Sequence, residues 1–335
     1  MAARAHLPGW RTHENIAIGA IHDPISQRRH EAIRLIKSVR VYDDLELMLD
    51  GEAPDFVDVA SPPGLHHEAA RAVLAAGAHV LVEKPLALSL AEFDELAALA
   101  AEKQRVLMCV HNWKYAPAYA AARKAIESGR LGAIRFISVD RFRTEPAGAG
   151  GSGGKWRASS ASGGGILIDH GWHVFYLMNW LLGGETPKSV SARLESAAGM
   201  DVDDVADVRI RFRNGAIGRA HLSWRAPIRR TSAVIYGEHA SVEIEGDRLL
   251  LTDRSGKTED LSVPDMADDS YHSAWFGGVA EELERAVTEG TNSPIARRNM
   301  AEARVALVLI EAARKSSINN GIEIETLLSP VKSNS

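Results

Sequence analysis

The chain has 335 residues, 45% of them hydrophobic, with a formal net charge of −5 and a pI near 6.2. That length suits two domains of about 150 residues each, and the acidic balance argues against a nucleic-acid or anionic membrane surface, leaving a small molecule as the expected partner. The single cysteine, Cys109 in the apolar run VLMCV, excludes an intrachain disulfide. No apolar run reaches the length of a membrane span and Met1 to Trp10 lacks the apolar core of a secretory signal, so a soluble cytoplasmic protein is expected.

In chain order, Ile16 to Ile21 is a β run ending at His22, Asp23 and Pro24, followed by helical stretches to about Ser38 and from Asp43 to Leu49. A strand over Phe56 to Ala60 breaks at Ser61, Pro62 and Pro63, and a helix from His66 to Ala76 is closed by Gly77 as a left-handed cap. Strand 79–83, helix 91–103 and strand 105–111 complete the alternation of a doubly wound parallel sheet. Residues 1–112 therefore read as a Rossmann-like domain.

Beyond Asn112 the pattern changes. A helix over Pro117 to Ser128, capped by Gly129, leads to a strand over Ala133 to Phe142 and a glycine-rich stretch from Thr144 to Gly165. GSGGKW within it is not a phosphate loop, because Ala149 replaces the motif's first glycine and Trp156 its Ser or Thr; a mobile loop is expected. Val205 to Phe212 and Ala216 to Trp224 flank Asn214 and Gly215, a strong hairpin signal, and more β runs follow to about Val263. Helices over Tyr271 to Glu289 and Ala296 to Ser317 close the chain, so residues 113–335 read as an α+β domain on a mostly antiparallel sheet.

Two stretches carry chemistry. His79 to Leu86, HVLVEKPL, places Glu83 and Lys84 at the carboxyl end of a buried parallel strand, where open α/β sheets bind ligands. A strand-end ion pair is the plainer alternative. In Gly163 to Gly184, Val174, Leu177, Met178 and Leu181 recur at helical spacing, Gly183 and Gly184 end the helix, and Asp169 sits at the expected N-cap. Asp169 and His173, four residues apart, share one face of that first turn, where the positive helix end favours a carboxylate beside a neutral, proton-accepting imidazole. Capping and packing alone would also account for the pair. His170 and His173 lack thiols or an obvious third ligand beside them, so no metal site is expected.

The pieces SPPGLHHEAARAVLAAGAHVLVEKPLALSLAE (61–92), LMCVHNWKYAP (107–117), GRLGAIRF (129–136), GGGILIDHGWH (163–173) and RFRNGAIG (211–218) resemble the Gfo/Idh/MocA oxidoreductases. The resemblance implies a catalytic triad of Lys84, Asp169 and His173, with Lys84 near the reacting hydroxyl and the nicotinamide, and Asp169 and His173 as the acid/base pair. It also implies that Glu83 holds the nicotinamide ribose, that Ser61, Pro62, His66 and Asn112 line the cofactor, that Lys114 stands where strand and domain meet at the site, and that a cis peptide often precedes Pro85. Alcohol oxidation needs such a set: a base, a cation for the developing alkoxide and a hydride acceptor. Trp156, Arg157, Trp172 and Tyr176 are candidate contacts for a sugar or polyol.

The family's opening strand and its G-x-G-x-x-G/A fingerprint are not seen; ARAHLPGW aligns with the helix that follows them, with Ala3 on the last fingerprint position, so the first residue of this sequence is expected to lie downstream of the true start. That spacing makes Asp23 the acid for the adenosine ribose, which leans toward NAD, while Arg28 and Arg29 nearby keep NADP open. In the strand order 3-2-1-4-5-6, loss of the first strand would leave its two neighbours unpaired. The expected activity is an NAD(P)-dependent dehydrogenase acting on a sugar, polyol or related hydroxy compound. The alternatives are an NAD-dependent glycoside-cleaving relative and a non-catalytic ligand sensor. A homo-oligomer, dimer or tetramer, follows from the resemblance alone.

Overall fold

A computed structural model describes residues 5–147, 156–265 and 273–328. Ala3, the part of the glycine-rich stretch over 148–155 and the expected helix start at Tyr271 lie outside the described residues. The chain divides into two compact units: one comprises residues 1–87, 91–112 and 267–300, the other 88–90, 113–266 and 301–335.

The first unit holds five short parallel strands, β1 (Ala20–His22), β2 (Arg40–Tyr42), β3 (Phe56–Val59), β4 (His79–Val82) and β5 (Leu107–Cys109). They form two separate sheets, β1-β2 and β3-β4-β5. The break falls between β1 and β3, where the order 3-2-1-4-5-6 places its first strand. Helices α1 (His6–Trp10), α2 (Ser26–Leu35), α3 (Leu45–Glu52), α4 (His66–Ala75) and α5 (Leu90–Lys103) accompany them. Gly77, at φ +82°, is the left-handed residue that closes α4.

Residues from late in the sequence complete this unit. Helix α8 (Ser273–Glu289) sets Phe276 against α1, its ring 4.2 Å from that of His6 and 5.1 Å from that of Trp10. A Cβ on Gly9 would lie 2.5 Å from Phe276 Cδ1, so only glycine lets the helices approach this closely. On α9 (Pro294–Ile318), the Asn299 amide accepts from Cys109 N at 2.8 Å and donates to Cys109 O at 2.9 Å, satisfying the backbone of β5 as a further strand would.

The second unit is built on a nine-stranded sheet of β6 (Ile134–Phe142), β7 (Pro187–Glu195), β8 (Val205–Phe212), β9 (Ile217–Ser223), β10 (Arg230–Gly237), β11 (Ala240–Glu245), β12 (Arg248–Asp253), β13 (Thr258–Asp260) and β14 (Ile324–Glu325), in the order β13-β12-β11-β10-β6-β9-β8-β7-β14. Only β6 and β9 pair in parallel. The Asn214-Gly215 turn joins β8 to β9 in antiparallel register, Gly215 taking φ +87°. Buried positions alternate along β8 with half-buried or exposed ones, and in α7 (Trp172–Leu181) all ten residues except Trp180 are buried. Helix α6 (Pro117–Glu127) completes the set of elements, and Gly129 follows it at φ +76°. Among the described residues no helix is long and apolar enough to cross a membrane.

Candidate active site

In the first unit the end of β4 is held from three sides. Glu83 N donates to Val59 O at 2.8 Å, continuing the ladder one residue beyond β4. The Glu83 carboxylate receives His6 Nε2 on Oε1 at 2.8 Å and Lys84 N on Oε2 at 2.8 Å. His66, fully buried, reaches Pro85 O through Nδ1 at 2.7 Å and Ser61 O through Nε2 at 2.8 Å, tying the loop after β3 to the loop after β4. The Lys84–Pro85 peptide is cis. Both Glu83 and Lys84 are buried.

His6 is absent from the sequence expectations and central here. Its other nitrogen, Nδ1, donates to Asp58 Oδ2 at 2.7 Å, and Trp10 Nε1 donates to the same oxygen at 2.7 Å. Burial works to lower the His6 pKa, but two carboxylates outweigh it and raise it to about 10, so the ring is an imidazolium. The Glu83 carboxyl is pushed by burial toward higher values, yet the His6 bond and charge hold it below the usual carboxylate range. Burial lowers the His66 pKa against the pull of its two carbonyl partners.

Ser61 Oγ and Asn112 Oδ1 are buried with no hydrogen-bond partner among the described residues, and Pro62, exposed, precedes a single 3-10 turn over Pro63–Leu65. Two unspent polar atoms on loops that follow β3 and β5 fit a polar ligand such as a nicotinamide nucleotide. At the end of β1, the Asp23 carboxylate accepts from Ile25 N at 2.8 Å and faces Arg28 Nη1 at 3.5 Å, while Arg29 is engaged with Asp23 O at 2.7 Å and with Asp43 at 3.6 Å. The donors for a pyrophosphate, which the fingerprint supplies, are not among the described residues.

In the second unit the expectation that Asp169 caps the helix does not hold. The segment Leu167–Gly171 winds as a single π turn ahead of α7, placing Asp169 inside the helical run. The cap comes from elsewhere in the chain: Asp203 Oδ2 accepts from Leu167 N at 2.7 Å and Asp203 O from Ile166 N at 2.8 Å. Gly165, at φ +106°, makes room, since a Cβ there would lie 2.5 Å from Asp203 Oδ1. Asp169 is thereby released to accept from Arg157 Nε at 2.8 Å, with His170 Nε2 at 3.5 Å.

His173 packs its ring on Trp113, 4.5 Å apart at an interplanar angle of 6°. Its Nδ1 lies 3.1 Å from Tyr176 Oη, which also accepts from Trp113 N at 2.9 Å. Of the candidate substrate residues, Tyr176 and Trp172 are fully buried; Trp172 Nε1 has no hydrogen-bond partner among the described residues. Arg157 lies over the Trp156 ring at 4.3 Å. Lys114 is buried in an ion pair with Glu302 on α9, 3.0 Å long. Two further residues were not anticipated, Trp113 and Arg141, whose guanidinium sits 4.5 Å over the Trp113 ring. The Arg141/Arg143 pair, spaced two apart at the end of β6, was a readable sign; Trp113 carried none.

Residues 1–111 match the family model described as oxidoreductase family, NAD-binding Rossmann fold, and residues 119–243 match the GFO/IDH/MocA C-terminal domain. An uncharacterized oxidoreductase of Synechocystis is 29% identical over 209 residues, 62% of this chain and 55% of that protein. The D-glucoside 3-dehydrogenase of Escherichia coli is 26% identical over 81% of this chain and 82% of its own. The chain spans only about half the length of the first curated relatives it matches, from 42% to 55%. Levoglucosan dehydrogenase, solved with NADH and levoglucosan, shares the fold at a TM-score of 0.84 and 21% identity over 98% of this chain and 97% of its own. With both halves matched by models of one family, in order and on the folds described above, the chain belongs to the Gfo/Idh/MocA oxidoreductases.

Proposed function

We propose that the chain is an NAD(P)-dependent dehydrogenase that moves a hydride between a nicotinamide cofactor and a hydroxyl-bearing carbon of a sugar, polyol or related compound. The observation that carries this reading is the end of β4, where the cis Lys84–Pro85 peptide and the doubly bonded Glu83 carboxylate hold a buried lysine in one place. Residues 1–112 would bind the cofactor and residues 113–335 the substrate.

The nicotinamide, when bound, supplies the hydride acceptor. Glu83, Ser61, Pro62, His66 and Asn112 would hold its nucleotide, and Asp23 the adenosine ribose. Asp23 favours NAD by repelling a 2'-phosphate, although Arg28 at 3.5 Å softens that preference. Lys84 stabilises the developing alkoxide. His173 takes the hydroxyl proton on Nε2, which requires the tautomer whose Nδ1–H is donated to Tyr176 Oη. Asp169 holds Arg157 toward the substrate and supports proton transfer as the partner acid. Lys114, Trp156, Trp172 and Tyr176 shape the substrate side.

We also infer a cytoplasmic homo-oligomer, by resemblance to the family. The experiment is a fluorescence titration of NADH and NADPH into the protein, followed by NAD(P)+ reduction over a panel of sugars and polyols. Cofactor binding with a rise at 340 nm, the absorbance of reduced nicotinamide, supports the reading. Absence of both binding and reduction overturns it.

A further inference from the structure

Strand β6 carries an unbalanced charge into the second unit. Arg141 lies on the strand and Arg143 one residue past its end, where Arg143 N still donates to Ser223 O at 2.8 Å, and the electrostatic neighbours the two share are Arg229, Tyr119 and Asp169. Every hydrogen bond these two guanidinium groups make is to a neutral oxygen. Arg141 Nη1 donates to Thr231 Oγ1 at 2.7 Å, and Arg143 donates to Phe142 O at 2.5 Å, Arg230 O at 3.1 Å and Thr231 Oγ1 at 3.2 Å. Among the described residues neither forms an ion pair with a carboxylate. The carboxylate that both feel, Asp169, is already bonded by Arg157.

Donors are also left unspent. Arg141 Nε and Tyr119 Oη are buried, each without a hydrogen-bond partner among the described residues. Around them the walls are aromatic: Arg141 lies over Trp113, and Trp113 stacks on both Tyr119, at 6.3 Å, and His173, at 4.5 Å. A buried guanidinium with no anion is costly, because desolvation penalises the charge and no carboxylate repays it. The cost shows in both groups. Burial, with repulsion from neighbouring arginines, lowers the pKa of Arg141 to about 9 and of Arg143 to about 10. Such an arrangement is relieved by a ligand that brings negative charge and acceptor oxygens.

We propose that the substrate of this site bears an oxyanion, a carboxylate or a phosphate, bound by Arg141 and Arg143 with Tyr119 as a further donor, beside the His173 imidazole stacked on Trp113. The inference rests on the dehydrogenase reading for what happens at the hydroxyl, but not for the anion site itself. Guanidinium groups suit this role because they present several fixed donors to such oxygens. Trp113 would join the two functions, carrying the base and the anion-binding arginine on one ring. A sugar acid, a hydroxy acid or a sugar phosphate has the required chemistry; a neutral sugar does not.

The test is isothermal titration of the whole chain with glucuronate, glucose 6-phosphate and glucose, in the wild type and in Arg141→Gln, Arg143→Gln and Arg141→Lys, each first checked by circular dichroism and thermal melting. The expected result is binding of at least one anionic probe ten times or more tighter than glucose. That preference should be lost in Arg141→Gln and Arg143→Gln and weaken at high salt. Preference for glucuronate over glucose 6-phosphate identifies a carboxylate, and the reverse a phosphate. Arg141→Lys, which keeps the charge without the planar fork, should fall between wild type and Arg141→Gln. If glucose binds as tightly as both anions, or if folded Arg141→Gln and Arg143→Gln both keep the preference, the proposal is overturned while the dehydrogenase reading stands. Anion binding without nicotinamide binding or turnover would instead keep this proposal and remove the dehydrogenase reading.

Discussion

His6 Nε2 lies 2.8 Å from Glu83 Oε1 across 77 residues of sequence, and this bond joins helix α1 to the acid that precedes the candidate catalytic lysine. With Nδ1 bonded to Asp58, the ring must donate at both nitrogens and so must carry a proton.

That proton makes stability pH-dependent. The folded pKa of His6, about 10, stands above its unfolded value of 6.5, so its contribution is complete below the unfolded value and is lost as pH rises toward 10. Urea unfolding of wild type and His6→Gln at pH 6, 8 and 10 should show the difference between them shrinking as pH rises. A difference constant over that range would mean that His6 is not an imidazolium in the folded protein.

Lys84→Ala and His173→Ala should each lower turnover on the order of a hundredfold with the fold intact. Steady-state rates beside circular dichroism spectra check this, and near-wild-type turnover in either variant removes that residue from the mechanism.

Tyr176→Phe deletes the oxygen that lies 3.1 Å from His173 Nδ1 and accepts from Trp113 N. Losing the oxygen should cost about 1–3 kcal/mol of stability, because a buried N–H is left unsatisfied. Turnover should fall roughly tenfold with KM little changed, as the tautomer that leaves Nε2 free is no longer selected. A variant with unchanged turnover would show that the base role does not depend on this bond.

Breaking the buried Lys114–Glu302 pair with Glu302→Gln removes the carboxylate from beside an ammonium group that is itself only 3% exposed. The expected loss is about 3–5 kcal/mol, read from the urea midpoint. A change within about 0.5 kcal/mol would place Lys114 in contact with solvent or ligand charge instead.

Gly9→Ala sets a methyl group 2.5 Å from Phe276 Cδ1. Overpacking of α1 against α8 should cost about 1–3 kcal/mol, and thermal melting would register it as a drop of several degrees.

Much of the architecture was legible because its causes are local. The β-branched runs of β3 and β4, the left-handed glycines 77 and 129, and the Asn214-Gly215 turn each act within a few residues. The motif at Glu83, Lys84 and Pro85 was readable for the same reason, as was the grouping of Asp169 and His173 on one helical run. The break in the parallel sheet followed from strand order.

What the sequence determined alone was therefore the kind of each element and the identity of the chemical groups: a lysine at a strand end and an imidazole in a helix. Tertiary structure decided who partners whom. Asp169 looked like a cap because an acid at a helix start usually is one, but Asp203, 36 residues away from Leu167, occupies that role and frees Asp169 for Arg157. The attachment of α8 to α1 and of Asn299 to β5, the clamp of His6 on Glu83, and the bonding of Arg141 to the neutral Thr231 hydroxyl are likewise long-range facts. They depend on which surfaces meet when the apolar faces are buried, and periodicity within a segment reports that a face is buried without saying against what.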